Sequence, residues 1–291
     1  MEGISEIEIV IVFVFVFVFV YMLISIFIPT YNAASCIEKT LRSVLEQTYS
    51  NLEVWIVDDC STDNTREILQ AQAEQDSRVK LLFKDKNEGF VPYSWNRVFP
   101  VLNGEFTFYM SHDDQISPDC IERLVRTQQK TGSDTVIPDC VFTYEDGHQK
   151  SSLSSYSPFG SCSSKALSLS SKEAFAKMLN YDIPGFALWR TAMIREIGMP
   201  TEAFNSDEGM QRIWALKSNK VAIEGSAKFY YLLTEGSITR GLKPYHLTGL
   251  KTQKRLLKTA ISSGIWLQYP KEFLRFAWQY LKSYRYLHKN L

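Results

Sequence analysis

Acidic and amide side chains follow three apolar runs of this sequence, and these side chains have the clearest chemical potential. Asn32 follows the first run, Asp58 and Asp59 follow the second, and Asp113 and Asp114 follow a later one. Because the carboxyl ends of parallel strands meet at one edge of an open sheet, we expect these side chains to share a crevice. Their oxygens suit Mg²⁺ or Mn²⁺, which commonly bridge protein carboxylates and substrate phosphates. Each Asp alone could equally be a helix cap or a solvated loop residue.

Strand and helix patterns alternate from Met22 onward, which predicts an α/β fold with a mostly parallel central sheet. Ser35 with Glu38 has the spacing of a capping box before a helix, and Ser117 with Pro118 predicts a second helix start. The strands expected in this half cover residues 23–28, 52–57, 79–83 and 106–110.

The second half begins with a stretch, residues 151–171, that holds eleven serines and is typical of a mobile surface loop. Ser170 with Glu173 then predicts another capped helix. The further elements expected are a strand at residues 185–189, a helix at 191–197 ended by Gly198, and a helix at 207–216.

Bulk composition excludes several classes of protein. The 32 basic and 32 acidic residues balance, so no global field favours nucleic acid as a partner. The five cysteines are odd in number and contain no CxxC, which indicates a reducing compartment such as the cytoplasm. Neither GxGxxG nor a P-loop is present, which argues against a dinucleotide-binding or NTPase site of the usual Gly-rich kind. CxxC and HExxH are also absent, so a metal site here must be carboxylate-based.

The N-terminus carries sixteen apolar residues in a row, from Ile9 to Ile24. The first strand takes the end of this run and leaves about 21 Å of helix, against the ~30 Å of a hydrocarbon core. We therefore expect residues 1–21 to be a low-complexity extension outside the functional protein, with a short hydrophobic membrane tether as the alternative.

Five segments between residues 22 and 124 resemble family 2 glycosyltransferases in order and spacing. They are Ile28-Pro29-Thr30-Tyr31-Asn32, the run from Val57 to Thr65, Asn87-x-Gly89, Gly104-Glu105, and His112-Asp113-Asp114 with Pro118-Asp119. The resemblance implies a GT-A fold, which is a Rossmann-like sandwich. It also implies a nucleoside-diphosphate sugar donor, for which we expect UDP as the nucleotide, and inversion at the anomeric carbon.

The resemblance also implies a set of donor-binding residues: Pro29, Thr30, Tyr31, Asn32, Asp58, Asp59, Asn87, Asn96, His112 and Asp113. Asp58 would accept a hydrogen bond from the base, and Asp113 would ligate Mn²⁺ or Mg²⁺. Ser111 stands where the family has the first acid of its DxD motif, so a site with two carboxylates is in doubt. His112 would contact the ribose or the metal, or else be a solvated loop histidine.

The segment Asn205-Ser206-Asp207-Glu208, which a helix follows, resembles the acidic pair before the acceptor-side helix of this family. An inverting transfer needs a general base for the acceptor hydroxyl, and Asp207 is our first choice with Glu208 close behind. A helix N-cap role is the alternative for Asp207. Residues 235–239 resemble a segment near the donor phosphates, with Thr234 near the place of the family's histidine.

The C-terminal part, residues 246–291, is predicted to be a basic, aromatic helical tail. From Lys251 onward it has nine Lys or Arg and one acid, Glu272, for a net charge of +8. One helical face would hold Phe273, Ala277, Tyr280, Leu281, Tyr284 and Leu287. That face either packs on the core or lies on an anionic membrane, close to a lipid-linked acceptor.

The sequence as a whole predicts a glycosyltransferase domain at residues 22–245, with a donor-binding half at 22–130 and an acceptor-side half at 131–245. Its partners would be a nucleoside-diphosphate sugar and a saccharide or lipid-linked acceptor in surface polysaccharide or lipopolysaccharide synthesis. We expect the enzyme in the cytoplasm, at the inner face of the membrane, without a nucleic-acid partner. The alternatives are a non-catalytic nucleotide-sugar-binding subunit and, with less support because no Gly-rich phosphate loop is present, a nucleotidyltransferase.

Overall fold

The computed structural model describes residues 22–144, 146–155, 167–201, 203–233 and 246–290. The first half repeats a strand-then-helix unit, because each buried apolar run is followed by an amphipathic segment. Its elements are β1 (Ile24–Thr30), α1 (Ile37–Leu45), β2 (Leu52–Asp58), α2 (Thr65–Gln75), β3 (Val79–Phe83), α3 (Val91–Val98) and β4 (Phe106–Tyr109).

The second half is less regular and adds the longest strands. Its elements up to the sheet's last strand are β5 (Gln115–Ile116), α4 (Cys120–Thr131), β6 (Thr135–Tyr144), β7 (Gln149–Ser151), a 3₁₀ turn (Ser152–Ser155), β8 (Leu167–Leu169), α5 (Ser171–Met178), β9 (Leu188–Arg190), α6 (Thr191–Ile197), α7 (Ser206–Lys217) and β10 (Val221–Leu233). Three helices follow: α8 (His246–Ser262), α9 (Ile265–Gln268) and α10 (Pro270–Asn290).

One sheet runs through the molecule in the order β3-β2-β1-β4-β9-β6-β10-β5. Off this path, β7 pairs with β6 and β8 pairs with β10. Strands β1 to β4 are mutually parallel, and β6 is parallel to β10. The short strand β9 is antiparallel to both β4 and β6, so the two parallel halves point the same way. The predicted α/β class with a mostly parallel sheet is confirmed.

Helices cover both faces of this sheet. In β1, Ile26 and Ile28 face the cluster that packs on α1 and α4, while Phe27 faces the cluster that holds α3 and α7. On the second face Trp95 of α3 contacts Trp214 of α7 at 5.3 Å between ring centroids. Aromatic packing of this kind fixes α7 against the sheet.

Two predicted helix starts are wrong. Helix α1 begins at Ile37, and its N-cap residue, Cys36, makes no side-chain capping bond, so Ser35 and Glu38 form no capping box. Helix α4 begins at Cys120, because the Ser117 amide donates to the Lys228 carbonyl and extends the pairing of β5 with β10.

The cap predicted before α5 is confirmed, since the Ser170 hydroxyl accepts from the Glu173 amide at 3.1 Å. The serine-rich stretch is only partly described: it contains the end of β7, the 3₁₀ turn and β8, and its residues 156–166 lie outside the described residues. Residues 1–21 also lie outside them.

The tail is helical, as expected, and docks on α5 and α8. Phe276 is buried against Phe175, Leu256 and Ile265, and Lys177 bridges to Glu272 at 2.9 Å. The face predicted for α10 is split: Phe273 and Leu287 turn inward, whereas Leu281 and Tyr284 are exposed. None of the helices in the described part of the chain combines the length and the apolar character that crossing a bilayer requires.

Candidate functional site

The loops after β1 and β2 are bonded to each other at the carboxyl edge of the sheet. Asn32 has a left-handed φ of 46°, and its side-chain oxygen accepts from the Thr62 amide at 2.8 Å. In return, the Ser61 hydroxyl accepts from the Asn32 amide at 2.9 Å, and the Thr65 hydroxyl accepts from the Ala33 amide at 2.8 Å. The two strand ends therefore form one rigid rim.

Asp58 ends β2 and is fully buried beneath this rim. Its carboxylate accepts from the Ser61 amide and hydroxyl, and it pairs with the Arg66 guanidinium at 2.6 Å. Arg66 also donates to the Lys84 carbonyl at 2.6 Å. Asp58 thus holds β2, α2 and the loop after β3 together; its contact with a nucleotide base stays a prediction.

Asp59, the next residue, holds the turn that contains Asn87. Its two carboxylate oxygens accept from the Glu88 and Gly89 amides at 2.9 and 2.8 Å, and Lys84 pairs with it at 3.0 Å. Gly89 has a φ of +80°, a conformation that glycine adopts without strain. The exposed Asn87 is positioned by this bracing.

The residues predicted to border the base line the end of β1. Thr30 is buried, and its hydroxyl has no hydrogen-bond partner among the described residues. Tyr31 beside it is 41% exposed, and the carbonyl of Pro29 lies 3.3 Å from Nδ1 of His112. A buried hydroxyl without a partner is costly, so this edge is suited to a polar ligand.

Asp113 and Asp114 follow β4 and have different environments. Asp114 is buried and accepts from the Ser111 amide at 3.1 Å, and burial together with the charge of Asp113 raises its pKa well above the ordinary range. Asp113 is half-buried and has no hydrogen-bond or ion-pair partner within the described ranges. Asp114 therefore braces the loop, and Asp113 is the carboxylate available to a ligand.

A metal at Asp113 would depend on oxygens from the substrate. No group of three or more His, Cys, Asp or Glu side chains that could hold a metal occurs in the part of the chain that the structure describes. A single carboxylate with diphosphate oxygens and water is a ligand set that Mg²⁺ accepts. The residues present fit a divalent ion that arrives together with a nucleotide.

Asp207 lies in the first turn of α7, which starts at a left-handed Asn205 with a φ of 57°. The turn before α7 is held by α8, because the Thr252 hydroxyl donates to the Phe204 carbonyl at 3.0 Å. Asp207 is half-buried, and burial followed by the charge of Glu208 raises its pKa from 3.8 to about 6. A carboxyl with this pKa is still ionised near neutral pH and is a stronger base than an ordinary Asp.

Glu208 has another environment although it is adjacent. It pairs with the buried Arg212 at 2.8 Å, and the Arg212 guanidinium lies 4.7 Å from the centroid of the Tyr181 ring. Glu208 also lines a groove of about 520 Å³ between α7, α8 and α10. Successive helical residues point about 100° apart, which is why the two acids face different sides of α7.

Tyr109, the last residue of β4, connects the two halves of the site. Its ring packs on Phe27 and Trp95, with centroids 5.8 and 5.4 Å away. Burial raises its pKa well above 10, and the negative charges of Asp207, Asp114 and Asp113 raise it further. Acids from both halves of the chain therefore contribute to the electrostatic environment of one phenol.

Comparison with known proteins identifies the family of the chain. The model of the family described as Glycosyl transferase family 2 matches residues 25–198, which is more than half of the chain. The chain belongs to glycosyl transferase family 2. This family 2 match includes every donor-side residue named above and ends before Asp207.

Two curated relatives match over part of this family 2 chain. It is 36% identical over 115 residues to the glycosyltransferase GlyG of Streptococcus pneumoniae serotype 4, a match that covers 40% of this chain and 38% of GlyG. It is 37% identical over 101 residues to the putative teichuronic acid biosynthesis glycosyltransferase TuaG of Bacillus subtilis, covering 35% and 40%. The matches span less than half of the length of these relatives.

Solved structures share the fold. The family 2 chain resembles S. aureus TarS 1-349 in complex with UDP-GlcNAc, with a TM-score of 0.65, 20% identity, and coverage of 81% of this chain and 66% of that one. It also resembles the mannosyltransferase PcManGT from Pyrobaculum calidifontis in complex with GDP-Man and Mn²⁺, with a TM-score of 0.59, 19% identity, and coverage of 91% and 69%. The predicted GT-A-type fold is confirmed.

The predicted site residues do not all share one environment in this family 2 protein. Those at the ends of β1, β2 and β4 lie along one rim, whereas Asn96 is exposed on α3 and donates to the Met199 carbonyl at 3.0 Å. The segment predicted near the donor phosphates, residues 235–239 with Thr234, lies outside the described residues.

Two residues with clear roles in the geometry were not among those predicted. Tyr109 carries a hydroxyl at the carboxyl end of a buried strand, which is a signal in the sequence for a residue that faces a polar site. Arg66 lies in the first turn of α2, where the helix dipole disfavours a cation, so its position indicates an acidic partner. That partner is Asp58.

Proposed function

We propose that the protein transfers a sugar from a nucleoside-diphosphate sugar, UDP-linked, to a hydroxyl of a saccharide or lipid-linked acceptor, with inversion. The observation that carries the proposal is at the carboxyl edge of the sheet, where the Asp113 carboxylate and the buried Thr30 hydroxyl both lack a partner among the described residues. Asp207 adds a carboxylate with the raised pKa of a base. Family 2 membership and the bound donors of the structural neighbours support it.

The donor would bind along the rim formed by the ends of β1 and β2. The base would lie against Pro29, Thr30 and Tyr31, and the Thr30 hydroxyl would gain the partner that it lacks. Asp113, with His112 beside it, faces the diphosphate in this proposal. A Mn²⁺ or Mg²⁺ ion bound there would supply positive charge to the departing diphosphate.

In the transfer step one proton moves, one bond forms and one bond breaks. The acceptor hydroxyl gives its proton to the Asp207 carboxylate as its oxygen bonds to the anomeric carbon. The bond from that carbon to the diphosphate oxygen breaks, and the nucleoside diphosphate leaves with the bonding electrons. Glu208 is the weaker choice for the base, because its carboxylate is paired with Arg212.

The likeness to TuaG supports a role in cell-surface polysaccharide synthesis, and we place the protein in the cytoplasm at the inner face of the membrane.

Nucleotide sugars can be screened by thermal shift, with and without Mn²⁺. We expect stabilisation by UDP or a UDP-sugar that depends on Mn²⁺, and release of UDP in the presence of acceptor. Stabilisation without turnover would favour a binding subunit, and no shift with any nucleotide would contradict the donor assignment.

A further inference from the structure

The largest exposed apolar side chains of the described protein are concentrated at its C-terminal end. Of the twelve large hydrophobic residues that are exposed, eight lie between Ile261 and Tyr286. On α10, Leu274 is 64% exposed, Trp278 54% and Leu281 45%. Contiguous patches of exposed apolar side chains mark surfaces that contact a protein, a membrane or a ligand.

These three residues form a stripe on the side of α10 that faces away from the protein. Their spacings of four and three residues put Leu274, Trp278 and Leu281 on one helical face. The opposite face packs inward through Phe276 and Leu287, which are buried. The helix therefore has two apolar stripes, and only the inner one is used by the fold.

Cations border the outer stripe. Lys271, Lys282 and Lys289 are exposed, are spaced eleven and seven residues apart, and so share the helical face next to the stripe. Lys282 lies 5.5 Å from the centroid of the Trp278 ring, and Arg285 continues the stripe itself. Long basic side chains beside apolar ones can keep their charges in a headgroup layer while their stems cover apolar surface.

The acidic residue of this helix is turned the other way. Glu272 is paired with Lys177 on α5, and the exposed Arg275 is paired with Asp182. The acid and one of the cations thus attach α10 to the protein. The outer face keeps positive charges, and this separation gives it the character of a helix that lies in the plane of an anionic bilayer.

We propose that the outer face of α10, formed by Leu274, Trp278, Leu281, and the cations Lys271, Lys282, Arg285 and Lys289, binds an anionic lipid surface. Apolar side chains enter the acyl boundary, and the cations contact phosphate headgroups. The identification of this lipid surface with the inner leaflet of the membrane rests on the proposed function. Lipid binding itself needs neither donor nor acceptor.

The test is co-sedimentation of the full chain with vesicles, without nucleotide. Vesicles of phosphatidylcholine with about 30 mol% phosphatidylglycerol should bind the protein, and pure phosphatidylcholine should bind it weakly. Replacing Leu274, Trp278 and Leu281 with Ser should lower binding by roughly tenfold or more. These side chains are exposed, so the fold should persist, which circular dichroism and UDP-induced thermal shift can check.

A charge control separates this surface from general attraction. Replacing Lys271, Lys282 and Lys289 with Gln should lower binding by roughly tenfold or more. Replacing the exposed α8 lysines Lys251, Lys254 and Lys258 with Gln changes the net charge equally and should have a much smaller effect.

Equal losses in the two lysine variants would overturn the assignment to α10. So would unchanged binding of the Ser variant, or no binding by the wild type to anionic vesicles. A dimer in solution that the Ser variant disperses, without vesicle binding, would assign the face to a second copy and also overturn the proposal. Loss of nucleotide binding with vesicle binding intact would count against the proposed function and not against the lipid surface.

Discussion

The pKa of Asp207 makes a prediction about stability that needs no substrate. Because the folded-state pKa is raised from 3.8 to about 6, the charged carboxylate destabilises the fold at pH 8. This rise corresponds to about 3 kcal/mol, which we reduce to about 1–3 kcal/mol because the side chain keeps some solvent contact. Asp207→Asn removes the charge and should stabilise the protein by that amount.

The sign depends on pH. Well below pH 3.8 the carboxyl of Asp207 is protonated in both the folded and the unfolded state, so wild type and Asp207→Asn should be equally stable. The unfolded state ionises first, so the difference should grow between about pH 4 and 6 and then stay nearly constant. Urea denaturation of both proteins at pH 4.5, 6 and 8 measures this difference in the free energy of unfolding. In thermal denaturation, a stabilisation of about 1 kcal/mol should raise the Tm by roughly 2–4 °C.

The adjacent acid provides a matched control of opposite sign. Glu208→Gln removes the carboxylate that pairs with the buried Arg212, so it should destabilise the protein by about 1–3 kcal/mol at pH 8. A lower stability of Asp207→Asn at pH 8, or a difference from wild type that does not change with pH, would contradict the raised pKa of Asp207.

Three further predictions follow from contacts in the structure. Gly209→Ala should cost about 1–3 kcal/mol of stability by denaturation, since its Cβ would lie 2.4 Å from Cγ2 of Thr252, and Thr252→Ser should restore most of it by removing that carbon; absence of rescue would contradict the clash. Arg66→Met should cost about 3 kcal/mol or more by leaving the buried Asp58 carboxylate without its cation, and an unchanged denaturation midpoint would contradict that role. With saturating donor, kcat should fall about tenfold per pH unit below about 6 as Asp207 becomes protonated, and a flat profile between pH 5 and 7 would exclude it as the base.

Locally determined elements were predictable from the sequence. The strand Val79–Phe83 and the helix Thr191–Ile197 have the bounds that the apolar pattern predicts. The placement of Asn32, Asp58 and Asp113 at one edge of the sheet also followed from the pattern, because parallel strands bring their carboxyl ends to one edge.

The strands β6 and β10 were missed because their sequences argue against central strands. Pro138 lies inside β6, and proline is tolerated in a sheet mainly at edges and bulges. In this structure Pro138 pairs with Glu224 at the point where the β10 register shifts, so a bulge accommodates it. A bulge depends on both strands, and the pattern of either strand alone does not reveal it.

The division of labour between adjacent acids also depended on the fold. In the sequence Asp207 is preferred only narrowly over Glu208, and only the family resemblance distinguishes Asp113 from Asp114. Burial separates the second pair, since Asp114 is buried and Asp113 is not. The buried Arg212 separates the first pair, because it takes Glu208 as its partner. Asp114 is surrounded by residues distant in sequence, such as Thr40. The partner of Glu208 lies one helical turn away on the same face of α7.

The central claim is that Asp113 acts on the donor and Asp207 on the acceptor. The most direct test is the dissociation constant of a UDP-sugar such as UDP-GlcNAc, measured by calorimetry in Mn²⁺ for the wild type and the two Asn variants. Asp113→Asn should weaken donor binding and remove most of its Mn²⁺ dependence, because it removes the metal's carboxylate. Asp207→Asn should bind the donor as tightly as the wild type. Equal weakening in both variants, or unchanged Mn²⁺-dependent binding by Asp113→Asn, would contradict the account.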